Sequence, residues 1–477
     1  MTDILDSYPE YGMTTKLDEL RAVEYSYLDE QCHVYMDYTG SGLAARAQYR
    51  AHAARLECTT FGNPHSINPT SQSATDLVEQ TRKRVLAHFN ASPEEYSVIF
   101  TANATGAARL VGEAYPFRRR SRLVLTSDNH NSVNGLREFA RRANCRTHYV
   151  PIRAPDMRID TATIAKALPV SKCSLFVRAS GSRAGLFAYP AQSNFSGVQH
   201  PLGWVSLAQK RGYDVLLDAA AYLPTGTLDL SALKPEFVTV SWYKLFGFPT
   251  GVGCLIARRD ALARLVRPWF SGGTIVAATV GIPWHMMVPD EGAFEDGTVN
   301  FLSIPDVHFG LDWLTGVGME LVRTRVRSLT GWFIDRLAML RHSDDTPMAA
   351  IYGPTSLKSR GGTVSFNLLD AAGKVVDERI VAMESAAARI SLRTGCFCNP
   401  GAGEVAFGID TDALPPLGHP SFDEFLRIMN LPSAGAVRVS FGVASTAADV
   451  DYFFAFVENT YRDRVTTSDG LALRTGC

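Results

Sequence analysis

Between residues 90 and 260 short apolar runs alternate with segments of helical period, and this alternation restricts the architecture more than any other feature of the sequence. Ser97-Val-Ile-Phe, Arg122-Leu-Val-Leu-Thr, Cys173-Ser-Leu-Phe-Val, Gly185-Leu-Phe-Ala-Tyr, Tyr213-Asp-Val-Leu-Leu-Asp218 and Phe237-Val-Thr-Val240 are too short for buried helices and rich in strand-forming residues. Strands separated by helices predict an α/β fold with a mostly parallel sheet covered on both faces. From about residue 330 the pattern changes to helix, strand over 362–368, helix, the segment 390–401, strand over 436–441 and a last helix near 447–462. That order predicts a smaller α+β domain. The expected division is an N-terminal segment, 1–55, packing with the small domain, a large domain over 56–330 and a small domain over 331–477.

Composition narrows the function classes. The 477 residues, 46% of them hydrophobic, can bury a sizeable core, and no apolar run reaches the roughly 18 residues of a membrane span. Net charge is -1 without a long Lys or Arg run, so neither nucleic acid nor a membrane surface is expected as a partner. The N-terminus lacks an export signal, which predicts a cytoplasmic protein. Eight cysteines are scattered without Cys-x-x-Cys pairs, so neither a metal site nor a disulfide framework is expected. Only Cys396 and Cys398 lie close together.

The stretch Val240-Ser-Trp-Tyr-Lys244-Leu-Phe-Gly-Phe-Pro-Thr-Gly-Val-Gly253 ends a buried strand in polar residues, and its glycines and proline forbid a long helix. A lysine is thereby held at a strand end. Asp218 ends the preceding strand in the same way, where parallel sheets present ligand-binding groups. An acid and a lysine so placed suggest pyridoxal phosphate: the lysine holds the aldehyde as a Schiff base and the acid keeps the pyridine nitrogen protonated. Thr105 and Gly106, at a strand-to-helix junction, suit a phosphate at a helix N-terminus, with a plain N-cap threonine as the alternative. His130, at the next strand end, could lie over an aromatic cofactor. The loop Phe61-Gly-Asn63-Pro-His65-Ser66 could face the same cleft.

With these segments placed, the chain resembles the fold-type I pyridoxal phosphate enzymes of the class V aminotransferase and cysteine desulfurase superfamily. It is most similar there to the amino-terminal desulfurase domain of molybdenum cofactor sulfurases. The matching motifs are Asn63-Pro-His-Ser, Tyr189-Pro-Ala-Gln-Ser-Asn-Phe-Ser-Gly, Leu217-Asp-Ala-Ala, Ser241-Trp-Tyr-Lys-Leu-Phe-Gly, Phe294-Glu-Asp-Gly-Thr298 and Leu392-Arg-Thr-Gly-Cys-Phe-Cys-Asn-Pro-Gly. The resemblance implies Lys244 as the Schiff-base lysine, Asp218 opposite the pyridine nitrogen, His130 on the ring and Asn194 near its hydroxyl. It gives the phosphate to Thr105, Gly106, Ser241 and Tyr243. Thr298 matches a threonine that relatives contribute from a second subunit, implying a homodimer. Arg438 falls where the superfamily binds the substrate carboxylate, its alternative being a surface arginine on an edge strand; Arg393, Asn63 and His65 join the substrate side.

Cys398 aligns with the cysteine that takes up sulfur, and Cys396 is its competitor; Asn399-Pro-Gly favours an exposed loop there over a buried strand. The implied activity is a cysteine desulfurase acting on L-cysteine, with a C–S lyase or aminotransferase, or a non-catalytic scaffold, as alternatives. Molybdenum cofactor sulfurases carry a further C-terminal domain that binds the acceptor, whereas this chain stops at Cys477, so the resemblance names no acceptor. Their loop also tends to continue Gly-Ala-Cys, whereas here it reads Gly401-Ala-Gly-Glu404. The tail Leu473-Arg-Thr-Gly-Cys477 echoes Leu392 to Cys396 and is expected to be an exposed terminus.

Overall fold

A short strand, β1 (Val34–Tyr35), precedes the seven that form the central sheet: β2 (Tyr96–Thr101), β3 (Arg122–Thr126), β4 (Arg146–Val150), β5 (Gly185–Pro190), β6 (Tyr213–Asp218), β7 (Phe237–Ser241) and β8 (Gly253–Arg258). The computed structural model describes residues 4–64, 66–170, 183–409, 421–428, 433, 435–472 and 474. The run starting at Cys173, His65, Leu473 and Cys477 lie outside the described residues. Spatial order is β2-β8-β7-β6-β5-β3-β4, with β3 to β7 parallel as the alternation predicts. β8 runs antiparallel to both its neighbours. Only a five-residue helix, Trp242–Phe246, and a turn separate β7 from β8, and a parallel return needs a crossover of about a dozen residues or more.

Period-two alternation divides the sheet's side chains between two cores. Val215 and Leu217 of β6 face the helices Pro69–His88, Trp204–Lys210 and Ile304–Val317, whereas Leu216 faces Ala104–Ala114 and Leu136–Arg142. Every residue of β5 and β7 is buried, which explains why these strands read as continuous apolar runs. Each such Leu, Val or Phe contributes about 1.5–3 kcal/mol of transfer free energy.

Beyond the large sheet come an antiparallel hairpin, β9 (Ile275–Thr279) and β10 (Trp284–Met287), and then β11 (Ala349–Tyr352), β12 (Thr363–Leu368), β13 (Ile390–Ser391), β14 (Arg393–Gly395) and β15 (Ala436–Ser440). The small sheet has the order β11-β12-β15-β14 and is antiparallel throughout. Val364, Phe366, Val437 and Val439 pack under the helices Met319–Met339 and Ala447–Tyr461. Ile4, Leu17 and Met36 join that core, and β1 pairs in parallel with β13, so the N-terminal segment is bound to the small sheet. Among the described residues no helix is long and apolar enough to cross a membrane.

Two sequence expectations are corrected. Arg474 is held by Asp377, Glu378 and Asp423 at 2.8 Å each, so the tail is docked by charge rather than exposed at that point. Asn399-Pro-Gly is more than a turn: buried Asn399 caps the helix Pro400–Ala406 by accepting from the Ala402 amide, with Pro400 at its first turn.

The turn after Asp37 closes over the helix Trp242–Phe246, with Gly42 N–H donating to the Tyr243 carbonyl at 3.0 Å. Gly247 ends that helix at φ 80°, and a Cβ there would lie 2.1 Å from the Ala44 nitrogen. Gly247→Ala is therefore expected to cost about 2 kcal/mol or more, from the backbone conformation and the displaced turn together. Thermal unfolding measures it; an unchanged Tm refutes the close approach.

Candidate active site

The carboxyl ends of β2, β3, β5, β6 and β7 meet at one rim, where an open α/β sheet binds ligands. A cavity of about 620 Å³ at that rim is lined by Thr105, His130, Asn194, Asp218, Ser241, Tyr243 and Lys244. Seven side chains singled out from the sequence thus converge from five separate segments.

Lys244 lies in the helix Trp242–Phe246, so its amine is presented by a short rigid turn after β7. Burial pushes its pKa down, the Asp218 carboxylate opposes that, and Arg438 and Arg393 reinforce it. The result is a lysine biased toward the neutral, nucleophilic form. Asp218 ends β6 and is fixed from β7: its Oδ1 accepts from Thr239 Oγ1 at 2.9 Å and from the Ala220 amide at 3.0 Å. Both bonds fall on one oxygen, which orients the carboxylate.

At the end of β2, Asn103 caps the helix Ala104–Ala114 by accepting from the Gly106 amide at 2.8 Å. The cap is therefore Asn103, not Thr105, whose hydroxyl instead pairs with Ser132 Oγ at 2.6 Å. Ser132 Oγ lies 2.9 Å from His130 Nδ1, and the Ser132 amide donates to the same nitrogen at 3.1 Å. Burial lowers the His130 pKa, with Lys244 adding to it against Asp218, which favours the neutral ring, and the Ser132 amide makes Nδ1 an acceptor. Gly106 lines a different cavity, of about 930 Å³, on the far side of this helix end, and Thr298 lies there too. Asn63 Nδ2 donates to Thr298 Oγ1 at 3.2 Å. Thr298 follows Glu295, which is bound to buried Arg82 at 3.0 Å and to the Phe100 amide at 2.8 Å, so its segment is clamped to β2.

The loop carrying the two cysteines is tied to the rim. Asn194 Nδ2 donates to the Phe397 carbonyl at 2.8 Å and Asn194 Oδ1 accepts from Asn399 Nδ2 at 2.9 Å; the Asn131 amide donates to the Cys398 carbonyl at 2.7 Å. Phe397 and Cys398 both have left-handed backbones, φ 55° and 53°. Cys398 is a free, exposed thiol, whereas Cys396 is disulfide-bonded. The Cys396 bond had no sign in the sequence, since spacing does not report which sulfurs meet in the fold.

Arg438 is not on an edge: β15 lies between β12 and β14, and only 3% of its side chain is exposed. Its Nη2 donates to Asp37 Oδ1 at 2.9 Å and its Nη1 to the Asn194 carbonyl at 3.1 Å, while Phe397 covers the guanidinium at 4.7 Å. Arg393, 51% exposed, donates to the other oxygen of the same aspartate at 2.6 and 2.9 Å. Asp37, two residues past β1, was missed from the sequence; an acid between two apolar-flanked segments far away in sequence gives no local sign of its arginines.

Residues 34–453 match the family model described as aminotransferase class-V. The chain belongs to the class V aminotransferase family. Among curated proteins, the class V chain is 38% identical to the molybdenum cofactor sulfurase of Bos taurus, over 97% of this chain and 53% of that protein. It is 37% identical to that of Homo sapiens, over 93% and 51%. The chain thus spans about half the length of these relatives. Among solved structures, an apo cysteine desulfurase from Thermococcus onnurineus NA1 matches with a TM-score of 0.74 at 21% identity, covering 93% of this chain and 98% of that one. The cystine C–S lyase C-DES, in complex with its product cysteine persulfide, matches at 0.67 and 17%, covering 90% and 98%. These neighbours establish the fold as that of fold-type I enzymes, α/β with a mostly parallel sheet.

Proposed function

We propose that this class V chain is a pyridoxal phosphate-dependent cysteine desulfurase, which takes sulfur from L-cysteine onto Cys398 and releases alanine. The single observation that carries this reading is one rim bearing the Lys244 amine, the Asp218 carboxylate and a docked loop with the exposed Cys398 thiol. The similarity to molybdenum cofactor sulfurases supports it.

The residues fit the cofactor by chemistry. Thr105 and Ser241, beside the N-terminus of the helix Ala104–Ala114, would hold the phosphate; Asp218 would hold the pyridine N–H and His130 one face of the ring. When bound, pyridoxal phosphate supplies an aldehyde and an electron-accepting ring that acidify the substrate Cα–H. Lys244 would hold the aldehyde, and its amine, when free, would take that proton. Cys398 Sγ attacks the substrate sulfur as a thiolate, so that an S–S bond forms as the Cβ–S bond breaks, and protons returned to carbon complete alanine.

Arg438, with Arg393 beside it, takes the substrate carboxylate. Two arginines against Asp37 alone leave one net positive charge, which matches one carboxylate. Arg438→Met is expected to raise KM for cysteine about 10- to 100-fold, the range of one charge-assisted hydrogen bond; steady-state kinetics with unchanged KM would remove it from this role. We also assign a homodimer, on the exposed apolar hairpin residues Val276, Val280, Trp284 and Met286 and on Thr298 lying outside the cofactor cavity of its own chain. Sedimentation at micromolar concentration should show two chains, and a monomer would refute it.

The deciding experiment incubates cofactor-loaded protein with cysteine and analyses products and protein together. Alanine matched by added sulfur on Cys398, located by mass spectrometry, is expected. Pyruvate with sulfide and ammonia would make it a lyase, and a keto acid an aminotransferase.

A further inference from the structure

Away from the active-site rim, residues of the loop 353–362 close a cavity of about 480 Å³ against the helix Met319–Met339. Arg323, Arg327 and Arg360 line it, and none of its lining residues is acidic. Arg360 is buried yet donates only to backbone carbonyls: that of Pro354, that of Ser196 at 3.2 Å and that of Thr363 at 2.5 Å. Among the described residues its Nε has no acceptor, and Thr225 Oγ1, which lines the same cavity, is likewise buried without a partner. The charge acting on Arg360 is a second cation, Arg158, whose guanidinium is spent on the carbonyls of Ser359 and Lys358. Burial, then Arg158, pull the Arg360 pKa down to about 9. A guanidinium out of water without a counter-ion is costly unless an anion completes it.

We propose that this cavity is a binding site for a phosphate monoester, separate from the cofactor cavity. Among the described residues the ion pair at these three arginines is Arg323 with Glu320 at 3.6 Å, which leaves two net positive charges. A phosphate monoester carries about -1.5 to -2 near neutral pH. Arg323 can present its guanidinium fork, Arg327 the donors left after its Nη1 meets the Leu357 carbonyl at 2.8 Å, Arg360 its Nε, and the Thr225 hydroxyl offers a further bond. The cavity opens to solvent beside Arg323, whose side chain is largely exposed, so an organic substituent on the phosphate has a way out. Gln199, which lines the cavity, donates to Gln192 Oε1 at 3.1 Å, and Gln192 lines the cofactor cavity, so the two sites share a wall. The site does not rest on the reaction proposed above.

The test uses the full chain saturated with pyridoxal phosphate, so that added phosphate does not report on the cofactor cavity, in about 0.15 M salt to screen loose surface binding. Calorimetric titration with glycerol 3-phosphate is expected to show one site per chain, with inorganic phosphate at least about tenfold weaker. The paired change Arg323→Gln and Arg327→Gln, on an exposed helix face, should weaken binding at least about tenfold while leaving the Tm without ligand unchanged. Arg360→Met, if it folds, should abolish it. No binding of glycerol 3-phosphate, binding that survives the paired change, or equal binding of inorganic phosphate each overturns the proposal.

Discussion

Lys244→Ala is expected to yield a folded protein that loses pyridoxal phosphate on dialysis and turns cysteine over at least about 10³-fold more slowly. Its helix is held by buried Trp242, Leu245 and Phe246, none of which touches the change, so stability survives. The amine has two duties, attachment of the cofactor and proton transfer, and positioned proton transfer alone contributes about 10²- to 10⁴-fold. Its depressed pKa adds a pH signature. Only the neutral amine attacks an aldehyde, and burial holds Lys244 below the ordinary lysine value of about 10.4. Uptake of cofactor by stripped protein should therefore accelerate with rising pH and level off before an exposed lysine would. Absorbance of the bound cofactor follows both effects. Retained absorbance with near-normal turnover in the alanine variant would remove Lys244 from the mechanism.

Cys398→Ala is expected to separate cofactor binding from sulfur transfer. The variant should load pyridoxal phosphate normally, because the hydrogen bonds of the loop use the backbone of Phe397 and Cys398 and the side chains of Asn194 and Asn399, none of which is removed. Alanine release should fall at least about a hundredfold and protein-bound sulfur should vanish, since no other attacking thiolate stands on this loop: Cys396 is in a disulfide. Persulfide formed at the wild-type rate in this variant would show that the sulfur goes elsewhere.

How far the sequence reaches depends on the range of the interaction. Lys244, Asp218 and His130 were legible because each ends an apolar run, and in a parallel sheet all such ends share one rim. The reversal of β8 required knowing that β7 returns after a short connection, which the glycines over 247–253 signal only as a break in helix. Asn103 took the capping position from Thr105 by two residues, a shift that residue preference does not resolve because both types cap helices. Asp37 and the tail held at Arg474 depend on partners hundreds or tens of residues away, 401 positions in the case of Asp37 and Arg438, and no periodicity encodes such a pairing. The cavity around Arg360 had no sequence sign at all, because an arginine without an acid looks the same in a sequence as one with it.

The anchoring of the Phe397–Cys398 segment has a consequence for delivery. Two successive left-handed residues, bonded through their carbonyls to Asn194 and Asn131, make a stiff outlet rather than a swinging arm. On the function proposed above, sulfur bound to Cys398 moves only as far as that side chain turns, so whatever receives it must bring its accepting atom to the mouth of the protein, and selectivity among recipients becomes a matter of which shapes can reach that point.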